Sequence, residues 1–310
     1  WNQLAELRSE RLLDAEGALE AYEHALKLSP KHANTRQAQD DLRKLGMQWQ
    51  SLVEQKQRQA QHVTDPVEKA RLITEIAALL QKFEGNQAEA ERYFKEAIAL
   101  NSRERRALLL YANLLRQQER WEELVSLWLN AAEVTRASED KALFFEHAAR
   151  LLTEKLQQRE RAMACYERVI AHRPGDRDAM ASLAEWFTER EAWDDLVELY
   201  ESALRSGAHA NDEQGALLQV GMIHWRKRQV VTDAEPYFAR LRKANPSHPA
   251  VLDFYEATLT SLPDQPRLLG ILQDAQRAAV EPGQRLSLAL KIADIAGKNN
   301  ATLDRSIDAW

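Results

Sequence analysis

The chain has 310 residues, 45% hydrophobic and 29% charged, with a formal net charge of −6. That balance argues against a general nucleic-acid binder, which carries a basic excess, and no run approaches the roughly 20 apolar residues of a membrane-spanning helix. One cysteine, Cys165, excludes an intrachain disulfide, is compatible with a reducing compartment, and is read as a small core residue. Trp1 and Trp310 both fall inside expected helices, so the sequence is read as a segment of a longer protein, and the lack of a signal peptide in it excludes no targeting signal.

Only 10 glycines and 9 prolines occur, so long helices are feasible. Apolar residues follow helical spacing from end to end. Leu72, Ile73, Ile76, Leu79 and Leu80 mark one face, and Leu108, Leu109, Tyr111, Leu114 and Leu115 mark another. Short stop signals separate these stretches, among them Ser29-Pro30, Thr64-Asp65-Pro66, Ser138-Glu139-Asp140, Arg173-Pro174-Gly175-Asp176 and Glu281-Pro282-Gly283. Proline suits the first helical turn and Ser or Asp caps it, so each signal opens a helix. In chain order the expected helices are 1–11, 14–28, 32–45, 47–62, 66–82, 86–100, 104–118, 121–136, 139–155, 159–172, 176–190, 193–207, 212–228, 232–244, 248–261, 265–280, 284–297 and 301–310. The loosest joint is Ser206–Asp212, still only a loop.

Segments superimpose at a spacing of 72 residues. An aromatic marker recurs at Tyr22, Phe94, Tyr166 and Phe238, then at Trp310. Between these lie Trp49-Gln50-Ser51-Leu52-Val53, Trp121-Glu122-Glu123-Leu124-Val125 and Trp193-Asp194-Asp195-Leu196-Val197, with Gln265–Leu269 as a degenerate fourth copy. A fixed period of this size means stacked units rather than one globular core. About four helices fill each period, hence two antiparallel pairs.

Ala18, Tyr22, Ala25 and Pro30 fit the small–aromatic–small–proline pattern of the tetratricopeptide repeat. Ala162, Tyr166, Val169 and Pro174 fit it with one substitution, as do Ala90, Phe94, Ala97 and Ser102; Ala234, Phe238, Leu241 and Pro246 follow. In the intervening units Leu52, Leu124, Leu196 and Leu268 replace the small residue, and the spacing alternates between 34 and 38. The chain thus resembles that family over essentially its whole length. The resemblance implies an all-α, right-handed superhelical solenoid of antiparallel helix pairs, a single one over 1–310.

The chemistry of catalysis is missing. There is no phosphate-binding loop, no zinc-ligand spacing among the scattered histidines, and no nucleophile elbow. No catalytic residue, metal, cofactor or small-molecule substrate is expected. Trp49, Trp121 and Trp193 recur with the period and read as structural wedges. Trp128, Trp186 and Trp225 do not recur, and each reads either as packing or as a partner contact. The triplet Arg226-Lys227-Arg228 suits a helix C-terminus.

The resemblance also implies that first helices line a concave wall for a protein or peptide partner. Carried onto this sequence, the wall includes Lys44, Arg71, Arg106, Asn113, Arg116, Arg150, Asp178, Glu185, Met222, Trp225 and Asp253. Its first half is basic and its second half acidic. A chaperone-type carboxylate clamp is not supported, because Leu109 stands where that clamp has lysine. The expected function is a non-enzymatic interaction scaffold. The alternatives are an RNA-associated half-repeat protein and the regulatory arm of a larger enzyme; end-to-end self-association through cut faces is a further expectation.

Overall fold

A computed structural model describes residues 1–84, 87–207 and 213–297, and these are all-α, with no strand among the described residues. The helix expected over 301–310 lies outside them, as does most of the Ser206–Asp212 loop. The chain divides into two compact units, Trp1–Arg173 and Pro174–Trp310.

In the first unit, α1 (Asn2–Leu7) continues into a π-helical turn, Arg8–Leu12, and is followed by α2 (Ala15–Leu28), α3 (Ala33–His62) and α4 (Pro66–Leu79), which ends in a second π-helical turn, Leu80–Glu84. Then come α5 (Gln87–Leu100), α6 (Arg105–Gln117), α7 (Trp121–Val134), α8 (Ser138–Glu154) and α9 (Arg159–His172). The second unit holds α10 (Arg177–Glu189), α11 (Trp193–Ser206), α12 (Glu213–Met222) with a π-helical turn Ile223–Lys227, α13 (Val231–Ala244), α14 (Pro249–Thr258), α15 (Gln265–Ala278) and α16 (Pro282–Gly297). Short connections reverse the chain between most neighbours, so each unit is a run of antiparallel helical hairpins.

Several starts follow ordinary capping chemistry. Asp14 and Asp176 accept hydrogen bonds from the backbone N–H of Gly17 and Ala179, both at 2.9 Å. Asp65 caps Val67 at 3.1 Å, with Pro66 in the first turn.

Four aromatic markers of the 72-residue period are interior, and the fifth, Trp310, lies outside the described residues. Tyr22, Phe94, Tyr166 and Phe238 are between 0% and 7% exposed, and Ala18, Ala90, Ala162 and Ala234 are all at 0%. A second small-residue set holds the same spacing on the first helices: Ala5, Ala77, Ala149 and Gly221 are all buried. A Cβ on Gly221 would stand 3.0 Å from Cε2 of Phe238, so the missing side chain lets α12 approach the ring on α13.

The hairpin turns also repeat. Asp14, Gln158 and Val230 donate their N–H to the carbonyls of Arg8, Leu152 and His224, six residues back, at 2.8–2.9 Å. The residues just before them, Leu13, Gln157 and Gln229, have φ of 53°, 54° and 57°. In the other class, Arg120 and Ala192 donate to Leu115 and Phe187, and Glu119 and Glu191 have φ of 56° and 54°. A non-glycine residue in this region costs about 1–2 kcal/mol, which the flanking packing offsets.

One expected break does not occur. Helices over 32–45 and 47–62 were expected; the chain instead runs through as one 30-residue helix, α3. In the register of the repeat, Met47 corresponds to the turn residues Glu119 and Glu191. The physical reason lies in the faces on either side. The α6–α7 hairpin closes on Leu110, Tyr111, Leu114 and Leu115 against Leu124, Leu127 and Trp128. The corresponding stretch of α3 buries only Thr35, Gln39 and Leu42 before the turn and Val53 and Ala60 after it. With Gln39, Asp40 and Arg43 in place of Tyr111, Ala112 and Leu115, too little apolar area is available to offset a left-handed turn, and the helix continues.

Candidate functional site

Helix α6 is apolar on most of its circumference. Ala107, Leu108, Leu110, Tyr111, Ala112, Leu114 and Leu115 are buried, which leaves Arg105, Arg106, Leu109, Arg116 and Gln117 exposed and Asn113 half-buried. The tip of the first hairpin faces this outer stripe. Asn113 Nδ2 donates to the carbonyl oxygen of Arg11 at 3.1 Å, across 102 residues of sequence. Gln117 Nε2 lies 3.5 Å from the carbonyl oxygen of Leu12. Lys82 Nζ donates to Ser9 Oγ at 2.7 Å and ties the same tip to the end of α4. Burial pushes the Lys82 ammonium below its ordinary pKa; Glu10 opposes this and Arg106 adds to it.

Tip and stripe enclose a groove of about 710 Å3. Its walls include Leu7, Glu10 and Arg11 from the tip, and Arg106, Leu109 and Arg116 from α6. Trp128 and His147 lie beneath. Trp128 is only 3% exposed, stacked on Phe144 with centroids 5.6 Å apart and beside His147 at 5.2 Å. It is therefore a core residue, and the partner-contact alternative falls for it. Burial depresses the His147 pKa against the pull of Glu146, with Arg150 and Arg116 adding to the depression.

A half-buried polar lock holds α5, α6 and α7 together. Glu91 receives Arg120 at 2.6 and 2.9 Å, Tyr111 Oη at 3.1 Å and Lys95 at 2.6 Å. The Arg120 hydrogen bonds dominate and bring the Glu91 carboxyl down to about 2. Two periods on, Glu235 receives Tyr255 Oη at 3.1 Å and Arg267 at 2.6 Å. There, burial first and Glu235 second push the Tyr255 hydroxyl up to about 12. These sites have no catalytic geometry; they fasten helices.

The expected partner residues separate into groups. Arg106, Asn113 and Arg116 come together in the groove. Lys44 is exposed on α3 beside Asp41 at 3.9 Å, and Arg71 is exposed on α4 at 3.7 Å from Glu75. Arg150 sits 2.7 Å from Glu146, which also takes Arg173 at 2.6 Å. In the second unit, Asp178, Glu185 and Asp253 are exposed. Met222 and Trp225 are half-buried and pack on the core of that unit. The Trp225 ring meets Phe238 and Phe254 edge-on at 5.9 and 5.4 Å and carries Arg226 at 3.6 Å.

The periodic tryptophans are half-buried, each with a partner 34 residues on. Trp49 stacks on Phe83 at 6.3 Å, Trp121 lies under Lys155 at 5.3 Å, and Trp193 lies under Lys227 at 4.9 Å. Arg228 pairs with Asp194 at 3.2 Å, so the basic triplet is engaged within its own unit. Cys165 is buried, and burial raises its thiol pKa. Sequence reasoning placed Leu109 on the same wall as Arg106, Asn113 and Arg116 but missed Arg11 and Arg105 as groove residues; Arg11 sits on the first hairpin tip, about a hundred residues away in sequence.

Among the described residues no His/Cys/Asp/Glu group is placed to hold a metal, and no helix is long and apolar enough to cross a membrane. A family model for the tetratricopeptide repeat matches residues 179–214, which covers the α10–α11 hairpin. No curated protein sequence matches the chain. Solved structures similar to it include YrrB, a TPR protein described as having an unusual peptide-binding site, at 15% identity over 60% of this chain and 92% of that one, TM-score 0.30. Yeast Tom70 is 10% identical over 95% of this chain and 62% of that one, TM-score 0.32. The Cut9–Hcn1 hetero-tetramer of APC/C is 11% identical over 98% of this chain and 54% of that one, TM-score 0.30. The class of protein is an all-α helical-hairpin repeat. The α10–α11 hairpin matches the tetratricopeptide repeat, and the described residues form a run of helical hairpins.

Proposed function

We propose that this chain is a non-enzymatic scaffold that binds an extended or helical peptide segment of another protein on its first-helix face. The site is centred on Arg106, Asn113 and Arg116 of α6, with Lys44, Arg71 and Arg150 as outlying contacts of the first unit. Asp178, Glu185, Met222, Trp225 and Asp253 make a separate, more acidic contact set on the second. The observation that carries the reading is the outer stripe of α6. A helix that buries seven residues keeps Leu109 at 47% exposure between arginines and beside a groove. Exposed apolar area ringed by charge is how a surface recognises a partner rather than a reaction centre.

Selection of a displayed library of random 12-residue peptides on the immobilised chain tests this. Enriched peptides are expected to cross-link to a photoreactive residue placed at Leu109. A library that yields no specific binder contradicts the scaffold function.

A further inference from the structure

We infer that the groove between the first hairpin tip and α6 takes an acidic peptide segment bearing an aliphatic side chain. This rests on the scaffold reading and names the occupant of its first-unit site. Four guanidinium groups face the groove: Arg11 from the tip, and Arg105, Arg106 and Arg116 from α6. Lys82 lies close by, where Arg106 acts on it. The single carboxylate facing them is Glu10, and His147 is the titratable group on the α8 side.

Several other arginines of this chain are committed. Arg120, Arg161 and Arg173 each reach a carboxylate on a neighbouring helix at 2.6–3.0 Å, and in the second unit Arg240 and Arg267 do so at 2.6 Å. Among the described residues none of the four groove arginines pairs with a carboxylate, and Arg116 reaches only Asn113 Oδ1, at 3.4 Å. On a chain whose net charge is −6, this concentrated positive charge is placed to receive carboxylates, which guanidinium forks bind in pairs of hydrogen bonds.

The charge surrounds an aliphatic floor. Leu109 is 47% and Leu7 45% exposed on opposite walls, so one aliphatic side chain inserted between them covers both. The same floor selects against single-stranded nucleic acid, which needs exposed rings on which bases stack. The one tryptophan of the groove, Trp128, is 3% exposed beneath Phe144 and offers no such face.

Fluorescence anisotropy at low salt, with labelled 12-residue peptides, is the test. The probe contains Glu and Asp with two leucines; one control replaces the leucines by serine, another replaces the acids by lysine, and a third ligand is oligouridylate. The acidic leucine peptide is expected to bind about tenfold or more tightly than each control, and added salt is expected to weaken it. Arg106→Glu combined with Arg116→Glu is expected to reduce its affinity by about tenfold or more, and Leu109→Ser by several-fold. All three positions are exposed, so thermal melting of the variants is expected to match wild type. Equal binding of the serine control, affinity unchanged in the arginine variant, or tighter binding of oligouridylate overturns the inference. If the random library still enriches peptides when the acidic leucine peptide does not bind, this inference falls and the scaffold function stands; if neither binds, both fall.

Discussion

Helices α3 and α6 begin 72 residues apart, at Ala33 and Arg105, and both are followed two positions after the same register point by a tryptophan, Trp49 or Trp121. One runs straight for 30 residues, and the other stops at Gln117 and turns back through Glu119. The aromatic landmark is the same, so it does not decide the outcome. What differs is the material for closing a hairpin. Where α6 and α7 present Tyr111, Leu115, Leu124 and Trp128, α3 presents Gln39, Arg43, Leu52 and Lys56. The polar lock differs too: the register counterparts of Glu91, Tyr111 and Arg120 are Leu19, Gln39 and Gln48. A repeat protein can thus keep its marker residues and still lose a turn when both facing stripes become polar.

The largest effect that sharpens this comparison is expected in the closed hairpin. Leu115 is fully buried, and Leu115→Ala is expected to cost about 2–5 kcal/mol in urea unfolding, whereas Arg43→Ala at the same register point in α3 is expected to stay within about 0.5 kcal/mol. Equal costs would break the comparison. Next, Ala90 is at 0% exposure where α5 meets its neighbours, and Ala90→Trp is expected to overpack by about 1–3 kcal/mol. The matching change at exposed Gln59 on α3 is expected to remain within about 0.5 kcal/mol.

The polar lock predicts a pH signature. Glu91 titrates near 2 in the folded protein, below its ordinary value of 4.5, chiefly because Arg120 holds the charged form. Its contribution is therefore fully present above the ordinary carboxylate range and is lost as pH falls from there toward 2. Glu91→Gln is expected to lower the melting temperature at pH 7 and to flatten its decline between about pH 5 and 2. A variant that declines in parallel with wild type would remove the lock from the account.

The smallest effect is the most specific, because its sign changes between the two regions. Glu119 has φ of 56°, so Glu119→Gly is expected to stabilise by about 1 kcal/mol. Met47 lies inside a helix and is 85% exposed, so Met47→Gly is expected to destabilise by about 0.5–1 kcal/mol. Stabilisation at both positions would mean that Met47 is also a turn.

Much of the architecture was legible in the residues themselves. Capping residues and prolines placed several helix starts: α2 spans Ala15–Leu28 and α4 begins at Pro66, against expectations of 14–28 and 66–82. The Ala18–Tyr22 spacing and its repeats marked the buried faces, and all four rings are interior. The turn residues were harder to see, since Leu13, Glu119, Gln157, Glu191 and Gln229 adopt positive φ without being glycine. Hydrogen bonding six or five residues back holds them there, and no local signal announces that. The straight path of α3 was hidden because periodic tryptophans outweighed the polar stripes beside them. The groove was legible in part. Arg106, Leu109, Asn113 and Arg116 are positions that the tetratricopeptide resemblance implies, but the opposing wall at Leu7–Leu12 is about a hundred residues away in sequence, where no repeat pattern points to it.

The course of α3 can be measured directly. Asn34 and Gln61 are exposed near the two ends of α3, and a pair of spin labels at these positions reports their separation by pulsed electron resonance. A continuous helix places them about 40 Å apart, at ~1.5 Å per residue. A narrow distribution near that value is the predicted result. A dominant distance of about 10–15 Å, as for neighbouring helices of a closed hairpin, would contradict the account.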